Sequence, residues 1–252
     1  MKKYILILIF IFLSTSVLPW GATGHRVTGY IADKHLSKKA RLAMQRILGQ
    51  QSLAMASTWM DDIKSDSLYD HYEAWHWVTI EDQETYDQTK KNPKGDIIYA
   101  LERIIAELKS KKLSPAEEAE RVKMLIHLVG DIHQPFHVGR ADRGGNDVKV
   151  TWFGGNSNLH RVWDSDMIDH TRLSYTELAE SLYKPTTSEA KQWQGSSVRD
   201  WAKESMGYRK QVYNYGEGKL GYQYQYVQFE IARQRLAQAG VRLAGLLNEI
   251  YG

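Results

Sequence analysis

The sequence predicts a mainly α-helical single domain with one short β element. Its apolar residues recur mostly at the i, i+3, i+4, i+7 spacing of amphipathic helices, and only brief stretches have the character of a strand. The 252 residues, of which 42% are hydrophobic, are enough to bury one sizeable core. No internal repeat or low-complexity segment indicates a second domain.

The first nineteen residues have the layout of a secretory signal peptide. Lys2 and Lys3 precede the apolar run 4–13, and small and polar residues then lead to Pro19. This run is about half the length that a membrane span needs, roughly 20 apolar residues. We therefore expect export to the periplasm or the medium without a stable membrane anchor, and a mature domain of residues 20–252. Pro19 is unusual immediately before a cleavage site, where a small residue is common.

Composition excludes several other classes. The chain has no cysteine, so it can form neither disulfides nor a cysteine-linked lipid anchor. Removal of residues 1–19 would lower the formal net charge from +3 to +1, because that segment carries two lysines and no acidic residue. A nearly neutral protein does not bind nucleic acid through a broad basic surface, so any attraction for phosphate must be local.

The first part of the mature chain reads as a series of helices. Apolar periodicity predicts helices at about 24–32, 37–49, 53–64 and 97–108. The apolar members of the second of these are Leu42, Met44, Ile47 and Leu48. Asp61 lies beside the apolar stripe of the third. Residues 75–80, which include His76, are aromatic and β-branched and are predicted to be extended.

A helix that starts at Ser114 is the centre of the predicted domain. Ser114 and Glu117 form a capping box, and Pro115 suits the first helical position. Both faces are apolar as far as about Asp131, so we expect this helix to be buried on both sides. His127 and Asp131 share one face, where an unpaired charge would cost several kcal/mol or more unless a cation or a hydrogen bond compensates it. For an isolated pair the hydrogen bond is the commoner solution, so the rest of the chain must decide.

Beyond this helix the pattern changes. Pro135 breaks the helical period, residues 139–146 read as a loop, and 148–152 alternate as a brief strand. A helical spacing then returns and places His160 and Asp164 four residues apart on one face. The C-terminal third is predicted to be helical, with a long helix at about 223–250.

These elements together carry an inventory of metal-ligand side chains. It comprises two His-x3-Asp pairs and three further residues, namely His127 and Asp131, His160 and Asp164, His137, Asp61 and His76. Imidazole is a ligand that zinc favours and that magnesium and calcium seldom use. The set therefore predicts zinc binding.

Five motifs follow one another along the chain: WGATGH, STWMD, HLVGDIHQPFH, GGND and NLHRVWD. In order and approximate spacing they resemble those of the zinc-dependent single-strand nucleases of the S1/P1 type. The resemblance runs from Trp20 to the C-terminal helix, where AGVRLAGLLN is similar to the bacterial branch. It implies a mainly helical fold, shared with zinc phospholipase C, that holds three zinc ions.

The resemblance also implies which residues bind each ion. Asp61, His76, His127 and Asp131 would hold one ion. Trp20, through its free α-amino group and carbonyl, would hold the neighbouring ion with His25 and the shared Asp131. His137, His160 and Asp164 would hold the third. Three dications against three ligand aspartates would leave a local charge of about +3, which would attract phosphate.

The expected substrate is single-stranded DNA or RNA, or nucleotides, cleaved by a metal-activated water to leave 5′-phosphates, with removal of 3′-phosphates as a second activity. Asp61 would orient the water. Lys64 would contact the phosphate, although family members often carry arginine there. Trp77 would stack a base, whereas Thr79 replaces a base-reading aspartate of the fungal enzymes. The fungal enzymes also contain disulfides. No protein partner is indicated.

Two alternatives stay open at this point. A zinc phospholipase C shares the fold and also begins at tryptophan, but its last ligand pair is His-x3-Glu, whereas His160 and Asp164 follow the nuclease pattern. An exported zinc-binding protein without catalysis would have closed coordination, with no open position for water or substrate.

Overall fold

The computed structural model describes residues 20–252, so the predicted signal peptide lies outside the described residues. These residues form one mainly α-helical domain. The α-helices are α1 Ala22–His35, α2 Lys38–Leu48, α3 Leu53–Ala56, α4 Trp59–Asp62, α5 Ile97–Ser110, α6 Pro115–His133, α7 Leu159–Arg161, α8 Met167–His170, α9 Tyr175–Ser181, α10 Thr187–Gln194, α11 Val198–Gly207, α12 Arg209–Val212 and α13 Tyr222–Tyr251. The predicted fold class is confirmed.

Short strands and tight helical turns connect the helices. The strands are β1 Val78–Thr79, β2 Val138–Gly139, β3 Lys149–Trp152, β4 Gly155–Asn158 and β5 Lys219–Leu220. β1 pairs with β2 in parallel, while β3 lies between antiparallel β4 and parallel β5. The 3-10 helices are Ile63–Ser65, Ser67–His76 and Pro135–His137, and Val162–Asp166 forms a π-helical turn.

The helix α6 is buried on both sides, as its sequence predicts. Ser114 and Glu117 form the expected capping box, and every residue from Met124 to His133 is buried. One apolar cluster surrounds α6 on the side of α2, α5 and α11, and a second lies around α7, α8 and α9. The helices α1 and α13 pack against each other and against α6. The ligand face of α6 is therefore held from several directions.

Two predictions about local structure are wrong. The helix predicted at 53–64 is interrupted after Ala56, because the carbonyl of Ser57 accepts a hydrogen bond from His127 and the N–H of Asp61 bonds to Thr58 instead. Residues 75 and 76 end a 3-10 helix, and only 78–79 form a strand.

Candidate metal centre

The face of α6 that carries His127 and Asp131 is the floor of the site. Both side chains are fully buried, and Nε2 of His127 lies 3.2 Å from Oδ2 of Asp131. His127 donates from Nδ1 to the carbonyl of Ser57 at 2.7 Å, so its other ring nitrogen, Nε2, faces Asp131 and Nδ1 of His76, which is 3.1 Å away. The break between α3 and α4 supplies that carbonyl. The break in the helix therefore orients His127 as a candidate metal ligand.

Three other elements bring side chains to this floor. His25 on α1 stacks on His127 with 3.8 Å between ring centroids and places Nε2 3.2 Å from Oδ1 of Asp131. His76, at the end of its 3-10 helix, places Nδ1 2.9 Å from Oδ2 of Asp131. Asp61 on α4 lies 3.8 Å from Nε2 of His127. Two groups, His25–His127–Asp131 and Asp61–His76–His127, each have ligand atoms within 4.8 Å of one another.

A third group lies beside the first two. His137, His160 and Asp164 also have ligand atoms within 4.8 Å of one another. His137 donates from Nδ1 to the carbonyl of His76, and His160 donates from Nδ1 to the carbonyl of Gly144. Both rings therefore turn Nε2 toward Asp164, at 3.5 Å and 2.7 Å. The turn at Gly144 requires glycine, because φ is +58° and an added β-carbon would lie 2.3 Å from the carbonyl oxygen of Phe136.

The atoms that face each other in these groups fit a cation. Buried ring nitrogens and carboxylate oxygens lack a hydrogen-bond partner among the described residues at His25 Nε2, Asp131 Oδ1, His137 Nε2 and Asp164 Oδ2. Several lie within 4 Å of one another but are not aligned as hydrogen bonds. Buried polar atoms are seldom left without a partner. A bound metal ion would satisfy lone pairs that converge in this way.

The pKa shifts of the ligand groups also favour a bound cation. Burial, followed by the charge of Lys64, lowers the pKa of His76 to about 3, so its ring stays neutral and able to ligate. Burial alone would lower the pKa of His137, but the carboxylates of Asp131 and Asp164 raise it to about 9. Burial opposes ionisation of Asp164, yet the neighbouring histidines lower its pKa to about 2. The carboxylates therefore favour positive charge between them.

Trp20 lies beside the same helix. Its side chain is fully buried and donates from Nε1 to the carbonyl of Gly130 at 2.9 Å. The N–H of the next residue, Gly21, donates to the carbonyl of Asp164 at 2.6 Å. The start of the predicted mature chain is thus fixed next to two of the acidic residues. Ligation through the α-amino group of Trp20 stays a prediction.

A cleft of about 730 Å³ opens over these groups. His76, His137 and His160 lie along its floor, and Lys64, Trp77 and Thr79 also line it. Nζ of Lys64 is 2.7 Å from Oδ1 of Asp61, so the cation lies at the edge of the metal groups. Trp77 is 42% exposed, which leaves its ring free to contact a ligand.

The structure adds cleft residues that the sequence patterns did not indicate. Asn146 lies at the end of the segment predicted to be a loop; its side chain donates to the carbonyl of Arg143 and also lines the cleft. Tyr69, Asp70, Tyr72 and Glu73 line another wall. These four residues belong to the 3-10 helix Ser67–His76, which the sequence pattern does not predict. In contrast, His133 belongs to none of the three groups and bonds to Val129 and Arg242, as expected of a supporting residue.

A mainly helical domain with buried His and Asp groups under an open cleft defines a candidate metal-dependent hydrolase. The S1/P1 Nuclease family model matches residues 20–252. The chain therefore belongs to the S1/P1 nuclease family, and it is a nuclease. This finding confirms the resemblance carried by the motifs and removes phospholipase C as the alternative assignment.

Named relatives agree with the family. The chain is 29% identical to Endonuclease 3 of Arabidopsis thaliana over 274 residues, which cover 97% of this chain and 93% of the relative. It is 31% identical to Nuclease P1 of Penicillium citrinum over 156 residues, 59% of this chain and 58% of the relative. It is 28% identical to Nuclease S1 of Aspergillus oryzae over 179 residues, 68% and 62% of the two chains.

Among the described residues, every helix is too short or too polar to cross a membrane.

Proposed function

We propose that this nuclease is an exported zinc-dependent endonuclease that hydrolyses single-stranded DNA and RNA to products with 5′-phosphates and also removes 3′-phosphates. The observation that most supports it is the convergence of unpartnered buried atoms around Asp131 and Asp164 beneath an open cleft. The mixture of imidazole and carboxylate ligands favours zinc. Two named relatives, an endonuclease and Nuclease S1, support cleavage within a nucleic-acid strand.

Three ions would account for the three groups. One would bind Asp61, His76, His127 and Asp131, and a second His137, His160 and Asp164. The other would bind Asp131, His25 and the amino group and carbonyl of Trp20. This last assignment requires cleavage before Trp20, so an intact mass of the exported protein that begins at another residue would contradict it.

When bound, zinc ions supply an acidified water nucleophile and stabilise negative charge on phosphate. Asp61 would orient the attacking water, because its carboxylate lies 3.8 Å from Nε2 of His127 and contacts Lys64, which lines the cleft. Lys64 would donate to a phosphate oxygen as charge develops. Trp77 would stack on a base and fix the phosphate over the histidines at the floor of the cleft. A base inside a duplex cannot reach this ring, which favours single strands.

The open cleft argues against a metal store without catalysis. A structural zinc site is closed by its protein ligands, whereas a catalytic site keeps a position for water or substrate. Here His76, His137 and His160 are buried ligand candidates that nevertheless line the cleft. Substrate can therefore approach the groups from one side.

The test is release of acid-soluble nucleotide from single-stranded DNA and RNA by the purified mature protein. Activity should disappear with a chelator, return with zinc, and be absent in an Asp131→Asn variant. End-group analysis should find 5′-phosphates, and 3′-AMP should release phosphate faster than 5′-AMP does. Phosphatidylcholine serves as the control substrate. Cleavage of the lipid alone, or full activity without metal, would refute the proposal.

A further inference from the structure

One wall of the cleft is a single 3-10 helix, Ser67–His76. At ten residues it is long for its type, since such runs seldom exceed three or four residues. Three residues per turn align positions three apart. Tyr69 and Tyr72 therefore form one row, and Asp70, Glu73 and His76 form the next. All five line the cleft.

This wall extends well beyond the metal groups. With a rise of about 2 Å per residue, Tyr69 lies roughly 14 Å along the helix from His76. Trp77 directly follows His76 and would stack a base close to the reacting phosphate. The tyrosine row therefore offers a second aromatic surface for a nucleotide that is not at the scissile bond.

The tyrosines are held in place by other aromatic side chains. The ring of Tyr69 packs edge-on against Trp59 at 5.5 Å, and Tyr72 packs against Trp75 at 4.5 Å. Both tyrosines are half-buried, so each has part of its surface available to the cleft. A supported aromatic ring loses little conformational entropy when a base stacks on it.

The charges of the cleft indicate which side of a strand faces this helix. Asp70 and Glu73 are exposed and form no ion pair within residues 20–252, so they would repel phosphates. The cations that line the cleft, Lys64 and Arg143, lie on other segments. Phosphates should therefore approach the cations, and bases should face the helix. A carboxylate there can accept a hydrogen bond from the exocyclic amino group of cytosine or adenine, which thymine lacks.

We propose that the Ser67–His76 helix is a base-binding wall that holds a nucleotide beyond the two that flank the cleaved bond, with Tyr69 as its stacking surface and Glu73 as its base-selecting group. This proposal rests on the proposed function and extends it to substrate length and base preference. It predicts that oligonucleotides bind better than dinucleotides. It also predicts a preference for amino-bearing bases at a position away from the cleaved bond.

The experiment compares KM and kcat of the zinc-loaded protein for a dinucleotide and a hexanucleotide of single-stranded DNA. Tyr69→Ala should raise KM for the hexanucleotide by roughly 5- to 100-fold and leave the dinucleotide within twofold. Tyr69→Phe should retain the hexanucleotide KM. Tyr226→Ala, which changes an 84% exposed tyrosine on α13, is the matched control. Zinc content and melting temperature establish that each variant is folded and loaded.

A second measurement uses hexanucleotides that carry cytosine or thymine at one position at a time. Glu73→Gln should reduce the wild-type preference for cytosine at least threefold at one position away from the cleaved bond, whereas Glu217→Gln, an exposed residue outside the cleft, should not. Equal wild-type KM values for the dinucleotide and the hexanucleotide, or an equal effect of Tyr69→Ala on both, would contradict the base-binding wall but not the proposed nuclease activity. If the wild type cleaved neither substrate, the proposed function would be refuted, and the base-binding proposal that rests on it would be refuted too.

Discussion

The α-carbon of Gly130 lies against the imidazole of His25, so that a β-carbon at this position would be 2.8 Å from Nδ1 of the ring. Gly130 directly precedes Asp131 on α6. A glycine inside a helix usually costs stability, about 1 kcal/mol relative to alanine. Here it allows α1 to bring His25 to the carboxylate of its neighbour.

We predict that Gly130→Ala weakens zinc binding although alanine is the better helix former. The added methyl group would push His25 away from Asp131, so zinc content should fall. Activity should fall with it by about tenfold or more, because a displacement of roughly 1 Å in an active site can cost that much. Metal analysis after dialysis against buffered zinc measures the effect. Gly207→Ala is the control, because nothing lies within 4 Å of its added β-carbon. Equal zinc content in the two variants would contradict the prediction.

Lys64 should act on the reaction more than on binding. Its Nζ lies 2.7 Å from Asp61, beside the place where phosphate charge would develop. Lys64→Ala should lower kcat on the order of 10- to 100-fold with a smaller change in KM, as the loss of a charge-stabilising donor does. Lys64→Arg should retain activity, because arginine also donates to phosphate. Steady-state kinetics on single-stranded DNA test both, with the exposed Lys219→Ala as control; unchanged kcat in Lys64→Ala would refute the role.

Removal of metal should destabilise the whole domain. Chelation would leave the carboxylates of Asp131 and Asp164 buried without the cations, and only protonation of neighbouring histidines such as His137 would then balance their charge. A ligand present at 1,000 times its Kd stabilises a fold by about 4 kcal/mol, which is roughly 10 °C in Tm for a chain of this length. We expect a chelator to lower Tm by at least this amount and zinc, but not magnesium, to restore it. Thermal unfolding followed by circular dichroism measures it; an unchanged Tm would mean that the site contributes nothing to stability.

Glu204 should stabilise the C-terminal end of α6 indirectly. It accepts hydrogen bonds from Arg235 and Arg242, which are buried, and Arg235 in turn donates to the carbonyl of His133. Glu204→Gln would leave two buried guanidinium groups without their carboxylate. Because the Glu204 side chain is itself 36% exposed, solvent screens the pair and the change should cost about 2 kcal/mol of unfolding free energy. Glu249→Gln, which removes an exposed pair with Lys109, should cost less than about 1 kcal/mol.

The stabilisation of the fold by Glu204 should depend on pH. Burial opposes ionisation of Glu204, but Arg242 and Arg235 outweigh it and lower its pKa below the ordinary value. A group with a lowered folded pKa contributes stability above its unfolded pKa and loses it as the pH falls through the folded value. The difference between wild type and Glu204→Gln in urea unfolding, measured with chelator present, should therefore be full at pH 7 and shrink below about pH 4.5. A difference independent of pH would contradict the ion-pair account.

The sequence by itself determined the elements whose pattern is local. The capping box, the two apolar faces of α6 and the His-x3-Asp spacing all depend on residues within a few turns of one another, so helical periodicity specifies them. The motifs that carry the family resemblance are equally local. These features were sufficient to predict a helical metal-dependent nuclease and to select the side chains that the structure brings together.

Only the tertiary structure decided how distant segments meet. The interruption at Ser57 forms because its carbonyl accepts a hydrogen bond from His127, seventy positions away in sequence. Trp75 and His76, at the end of the 3-10 helix, belong to an aromatic and β-branched stretch that is typical of a strand, and packing against other elements decides between the two conformations. The contact between Gly130 and His25 and the cleft wall at Tyr69 likewise depend on the approach of separate elements. Local propensity differs by too little to specify such choices, which are settled by long-range contacts.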